Sequence, residues 1–116
     1  MGKEESENFS KGSSGTETVK EITPFELKNM LNEGNDFQLI DVREPSEHEE
    51  VNIGGELIPL GDIVSNTDKI VLNKPVIIYC KVGLRSHIAI QRLQEKQGYK
   101  NLYNLKGGIT AYLLEK

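Results

Sequence analysis

At 116 residues, 36% hydrophobic and 28% charged, the chain has room for one globular core of average composition. A net charge of −4 gives no general basic surface, so neither nucleic acid nor an anionic membrane is an expected partner. The single cysteine excludes an internal disulfide, and no apolar run is long enough for a membrane span or a signal peptide, so a reducing, cytoplasmic setting is expected.

Residues 1–18, "MGKEESENFSKGSSGTET", hold little that could offset the entropy of ordering and read as a flexible tail or linker. Their first six residues match a loose N-myristoylation pattern, against which the acidic residues that follow weigh. From Val19 to Lys116 strand-like and helical runs alternate. "VKEI" is a strand. "TPFELKNMLNEG" is a helix with Thr23 as cap, Pro24 in the first turn, Glu26 completing a capping box and Gly34 closing it. "FQLIDV" is a buried strand. "SEHE" opens a short helix at Ser46, and "ELIPL" is a short strand ending near Pro59. "GDIVSNTDKIVL" holds a helical turn or two.

"PVIIYC" is the clearest strand, an unbroken apolar run of the kind that a central parallel strand needs because both its faces are covered. "SHIAIQRLQEKQG" follows as a helix, with Ser86 as cap, Ala89 or Ile90 with Ile88 and Leu93 on its apolar side, and Gly98 ending it. "NLYNL", "KGG" and "ITAYLLEK" complete the chain as strand, turn and helix. Such alternation implies parallel crossovers and a three-layer α/β domain, in which ligands sit beyond the carboxyl ends of the strands.

Two loops fall at that end: "VREP" after "FQLID" and "KVGLR" after "PVIIYC". A lone cysteine is ordinarily a small buried apolar group. Cys80, however, ends its strand and is followed by Lys81, Val82, Gly83, Leu84 and Arg85, a turn with inward amides, two cations and the amino end of a helix. Each of these lowers a thiol's pKa, and the thiolate is the nucleophile. Charge is also segregated: residues 41–62 carry seven acidic residues against Arg43 alone, while residues 69–116 carry nine Lys or Arg against Glu95 and Glu115. The basic half holds the thiol and would draw small anions.

Three motifs in order, "LIDVREPSEHE" with "IPL", "CKVGLRS" and "LKGGITAY", make residues 19–116 resemble a single rhodanese domain, the sulfurtransferase module that carries a persulfide on cysteine. The resemblance implies a five-stranded parallel sheet between helices, Cys80 as the persulfide-bearing nucleophile, and residues 81–85 as the rest of a substrate-binding loop. Asp41 and Arg43 fall on the family's D-V-R motif, where they order the neighbouring loops, and Ser86 supports the cysteine loop. "VNIGGE" departs from the family's usual run, His48 and Tyr112 stand where other aromatics are common, and none of these touches the thiol loop. "IGGELIPL" and "CKVGLRS" are most similar to the rhodanese domain behind the adenylylating enzymes of molybdopterin and thiamine biosynthesis.

The expected partners are then a small anionic sulfur donor, thiosulfate or a persulfide, with cyanide or a thiol as acceptor, or a ubiquitin-like sulfur carrier protein. No organic cofactor or metal is implied, since no Cys or His cluster has ligand spacing. Two alternatives stand beside this reading. A related phosphatase or arsenate reductase also uses a Cys-to-Arg loop, with five intervening residues where this chain has four. A non-catalytic binding or sulfur-relay module would act on a protein partner. A papain-type hydrolase needs a histidine base; His48 and His87 are the two histidines, and His87, just past the loop on a helix, is expected to be exposed rather than catalytic.

Overall fold

The computed structural model describes residues 18–115. The tail assigned to residues 1–18, Thr18 excepted, lies outside the described residues, and so does the myristoylation pattern. The elements in chain order are β1 (Lys20–Ile22), α1 (Pro24–Asn32), β2 (Gln38–Asp41), α2 (Pro45–Glu50), β3 (Glu56–Leu57), a 3₁₀ segment (Leu60–Lys69), β4 (Val76–Tyr79), α3 (Leu84–Gln97), β5 (Leu102–Leu105) and α4 (Gly108–Leu114). All strand pairings are parallel, in the order β1-β5-β4-β2-β3, which makes the parallel α/β sheet that the alternating pattern implies, with the five strands that the resemblance implies.

β4 is central, and Val76, Ile77, Ile78 and Tyr79 are all fully buried because both faces of the sheet are covered. Ile78 and Val76 join Ile40, Val42, Ala89, Ile90 and Leu93 in the layer beneath α3 and the 3₁₀ segment. Ile77 and Tyr79 pack on the opposite face with Ile22, Leu27, Leu105 and Ile109, under α1 and α4. Among the described residues no helix is long and apolar enough to cross a membrane.

α1 has the expected start: the Glu26 N–H donates to the Thr23 hydroxyl at 3.1 Å and the Glu26 carboxylate accepts from the Thr23 N–H at 2.9 Å. α2 differs from expectation. It begins at Pro45, with Glu44 at the cap, and the Glu47 carboxylate accepts the Glu44 N–H at 3.0 Å. Proline's fixed φ suits the first helical position, so Pro45 moves the start ahead of Ser46. The 3₁₀ segment is longer than a turn or two, and its helical backbone breaks at Asn66.

Candidate functional site: a cysteine loop at the end of β4

Cys80 is the first residue beyond β4, and its side chain is 1% exposed. Burial alone would make it an ordinary core thiol, but its sulfur has polar company. Sγ accepts from the Gly83 N–H at 3.1 Å, the Ser86 N–H at 3.4 Å and the Ser86 hydroxyl at 3.3 Å. Burial is the largest single influence and pushes the thiol up; the hydroxyl and N–H of Ser86, with the amides of Gly83 and Val82, outweigh it and bring the thiol below its ordinary value. A thiolate there is held by aimed dipoles at the amino end of the 14-residue α3.

The loop can turn its amides inward because its carbonyls are engaged outward. Cys80 O accepts from the Ile109 N–H at 2.9 Å and Lys81 O from the Thr110 N–H at 3.1 Å, both from the first turn of α4. Gly83 O accepts from Asn104 Nδ2 at 3.0 Å. Gly83 has φ 103°, a left-handed conformation that costs a glycine little, and it caps α3. Ser86 is therefore not the cap. It lies within the first turn of α3, fully buried, with its hydroxyl committed to Cys80 and Asn104.

Asn104 is absent from the expectations above. It stands on β5 opposite Ile78, 2% exposed, and ties Gly83 to Ser86 from the neighbouring strand. The available signal is a lone amide in an apolar strand, since a buried amide must find partners.

The charged residues are arranged differently from their sequence segregation. Arg85 donates Nη1 to Glu47 Oε1 at 2.7 Å and Nη2 to Glu47 Oε2 at 2.9 Å, a two-pronged pair with both side chains about one third exposed. The hydrogen bonds from Arg85, ahead of the Glu44 N–H, hold the Glu47 carboxyl down at about 2. The acidic segment thus folds onto the basic loop, and amides with one hydroxyl, more than Lys81 and Arg85, stabilise the thiolate. Lys81, Val82 and Leu84 are exposed on the rim.

Asp41 and Arg43 lie one shell away, beneath α2. Arg43 Nε and Nη2 donate to Asp41 at 3.0 and 2.8 Å, Arg43 Nη2 also donates to Val51 O at 2.7 Å, and His48 Nδ1 lies 2.8 Å from Asp41 Oδ2. Burial, the largest influence, pushes Asp41 up, and the bonds to Arg43 and His48 reverse it to leave the carboxyl below its ordinary value. This network fixes both ends of α2, which carries Glu47 to the rim. Neither histidine contacts the thiol: His48 is bonded to Asp41, and His87 is half-buried in the first turn of α3. Among the described residues no group of three or more His, Cys, Asp or Glu could hold a metal.

The fold is thus a parallel α/β domain that presents a cysteine loop between its central strand and the amino end of a helix. The family is more specific. The rhodanese-like domain family matches residues 23–115, and the chain belongs to it. A probable adenylyltransferase/sulfurtransferase of Mycobacterium tuberculosis, MoeZ, is 39% identical over 94 residues, which are 78% of this chain but 24% of that protein. A sulfurtransferase of Allochromatium vinosum is 36% identical over 95 residues, 81% of this chain and 88% of that one. The crystal structure of a rhodanese-like domain protein from Staphylococcus aureus superimposes with a TM-score of 0.73 at 34% identity, covering 81% of this chain and 91% of that one. The family and its sulfurtransferase-named members support sulfur transfer in general.

Proposed function

We propose that the domain is a sulfurtransferase of the thiosulfate sulfurtransferase type that carries sulfane sulfur as a persulfide on Cys80. The observation that carries this reading is the convergence of three donors from Gly83 and Ser86 on a single sulfur atom. In the first half-reaction the Cys80 thiolate attacks the outer sulfur of a donor such as thiosulfate. A new S–S bond forms, the donor's S–S bond breaks, and its electron pair leaves on sulfite. In the second, cyanide or a thiol attacks the outer sulfur of the persulfide and regenerates the thiolate. The amides serve both steps because negative charge stays on sulfur within their reach. Asp41 and Arg43 act as supports of the rim, and no cofactor takes part.

The working unit in this reading is residues 19–116, in a reducing cytoplasmic setting that keeps Cys80 a thiol. A ubiquitin-like carrier protein is a further acceptor in this reading, for which the likeness to one segment of an adenylyltransferase/sulfurtransferase speaks. The test is intact mass after incubation with excess thiosulfate. One added sulfur is expected, lost on adding cyanide, and never gained by Cys80→Ser, which should melt like the wild type. Hydrolysis of an aryl phosphate without sulfur loading would replace this reading with the phosphatase one.

A further inference from the structure

The rim of the cysteine loop is electrically balanced. Lys81 and Arg85 are its cations; Glu47 pairs with Arg85 through both carboxylate oxygens, and Glu44, whose N–H anchors Glu47, adds a second, weaker negative charge within electrostatic reach of Arg85. Inside that rim, uncharged donors make the hydrogen bonds to the Cys80 sulfur, while Arg85, already paired with Glu47, acts on it only through space. The cradle is therefore equipped for one negative charge at the sulfur and offers no uncompensated pair of cations for a second charge further out. α2 itself is pinned by the Asp41, Arg43 and His48 network, which holds the backbone of Glu47 at the rim, and its carboxylate is kept on Arg85 by the two-pronged pair and the Glu44 N–H.

We propose that Glu47 is a specificity-determining residue that selects a singly charged sulfane donor, an organic persulfide, over dianionic thiosulfate. The proposal rests on the sulfur-transfer reading given above. Val82 and Leu84, 57% and 69% exposed beside the thiol, suit the carbon body of such a donor better than a sulfonate. The persulfide carries its one charge as R–S–S⁻ and reacts as the conjugate acid: the Cys80 thiolate attacks the outer sulfur of R–S–SH, the new S–S bond forms, the old one breaks, and the electron pair leaves on RS⁻. The proton stays on the transferred sulfur or passes to solvent, and no external oxidant or reductant is needed.

The experiment measures loading of the full chain by intact mass, with thiosulfate and cysteine persulfide varied separately, in wild type and Glu47→Gln. Glutamine keeps the shape and one of the two acceptors for Arg85 while freeing its charge. The thiosulfate concentration that gives half-maximal loading rate should fall roughly three- to tenfold in the variant, as expected for removing one nearby carboxylate at a partly solvated rim. The maximal loading rate should change less, and the half-saturating persulfide concentration less than either. Added salt should narrow the difference between the two proteins. Equal changes for both donors, or none for thiosulfate, would overturn the role of Glu47. A wild type that loads from neither donor would overturn the sulfur-transfer reading itself.

Discussion

The Ser86 hydroxyl lies 3.3 Å from Cys80 Sγ and also within hydrogen-bond reach of Asn104 Oδ1. One hydroxyl proton serves one acceptor at a time. With a neutral thiol it can rest on Asn104; when the thiolate forms, turning it to sulfur adds a charge-assisted bond inside a buried site. Asn104 stays in place meanwhile, because its Nδ2 is bonded to Gly83 O.

Ser86→Ala should therefore raise the pKa of Cys80 while the Ser86 and Gly83 amides remain. A charge-assisted hydrogen bond of about 1.5–3 kcal/mol corresponds to a loss of sulfur loading at neutral pH of roughly tenfold or more. Alkylation rate against pH reads the shift directly. An unchanged midpoint would leave the amides as sole stabilisers.

Much of this was legible in the sequence because it is local. The capping box at Thr23 and Glu26, the apolar run into Cys80 and the glycine in the turn after it each sit within a few residues of the feature they create. Contacts across the fold were not legible. Glu47 and Arg85 are 38 residues apart, and only the packing of α2 beside α3 turns two opposite charge patterns into one pair. Asn104 reads as a blemish in β5 until β4 and the Cys80 loop are placed beside it. Ser86 is not a cap for a related reason: its place near a helix start fits one, but Gly83 already supplies it, and the buried hydroxyl faces the thiol.

Acid should weaken the rim. Glu47 is held at about 2 by Arg85, below its ordinary 4.5, so its contribution is complete above pH 4.5 and is lost as pH falls towards 2. Since the pair is about one third exposed, screening limits that contribution to roughly 1 kcal/mol or less. Urea unfolding should show Glu47→Gln less stable than wild type by up to this amount at pH 7, with the difference vanishing near pH 2. Asp41→Asn should cost more, about 3–5 kcal/mol at pH 7, because it strips a buried partner from Arg43. Equal costs for the two variants would mean that the Asp41 network does not anchor α2.

The cysteine loop should depend on a glycine 28 positions away. Gly108 has φ 65°, and a Cβ built there would meet Lys81 O and lie 2.6 Å from Cys80 O. Those two carbonyls are the ones that α4 holds, through the N–H groups of Ile109 and Thr110. An alanine can relieve the clash only by lifting α4 from the loop, which breaks both bonds and frees the carbonyls that keep the amides turned towards sulfur. Gly108→Ala should cost about 2–4 kcal/mol, from backbone strain and the lost packing together. That corresponds to a drop in Tm of about 10 °C or more for a domain of this size. Gly61→Ala is the control, since Gly61 has open space around its missing Cβ and no left-handed φ, and it should melt within a few degrees of wild type. Sulfur loading should fall with Gly108→Ala even well below its melting temperature. If that variant loaded and melted like Gly61→Ala, the first turn of α4 would not be what holds the loop in shape.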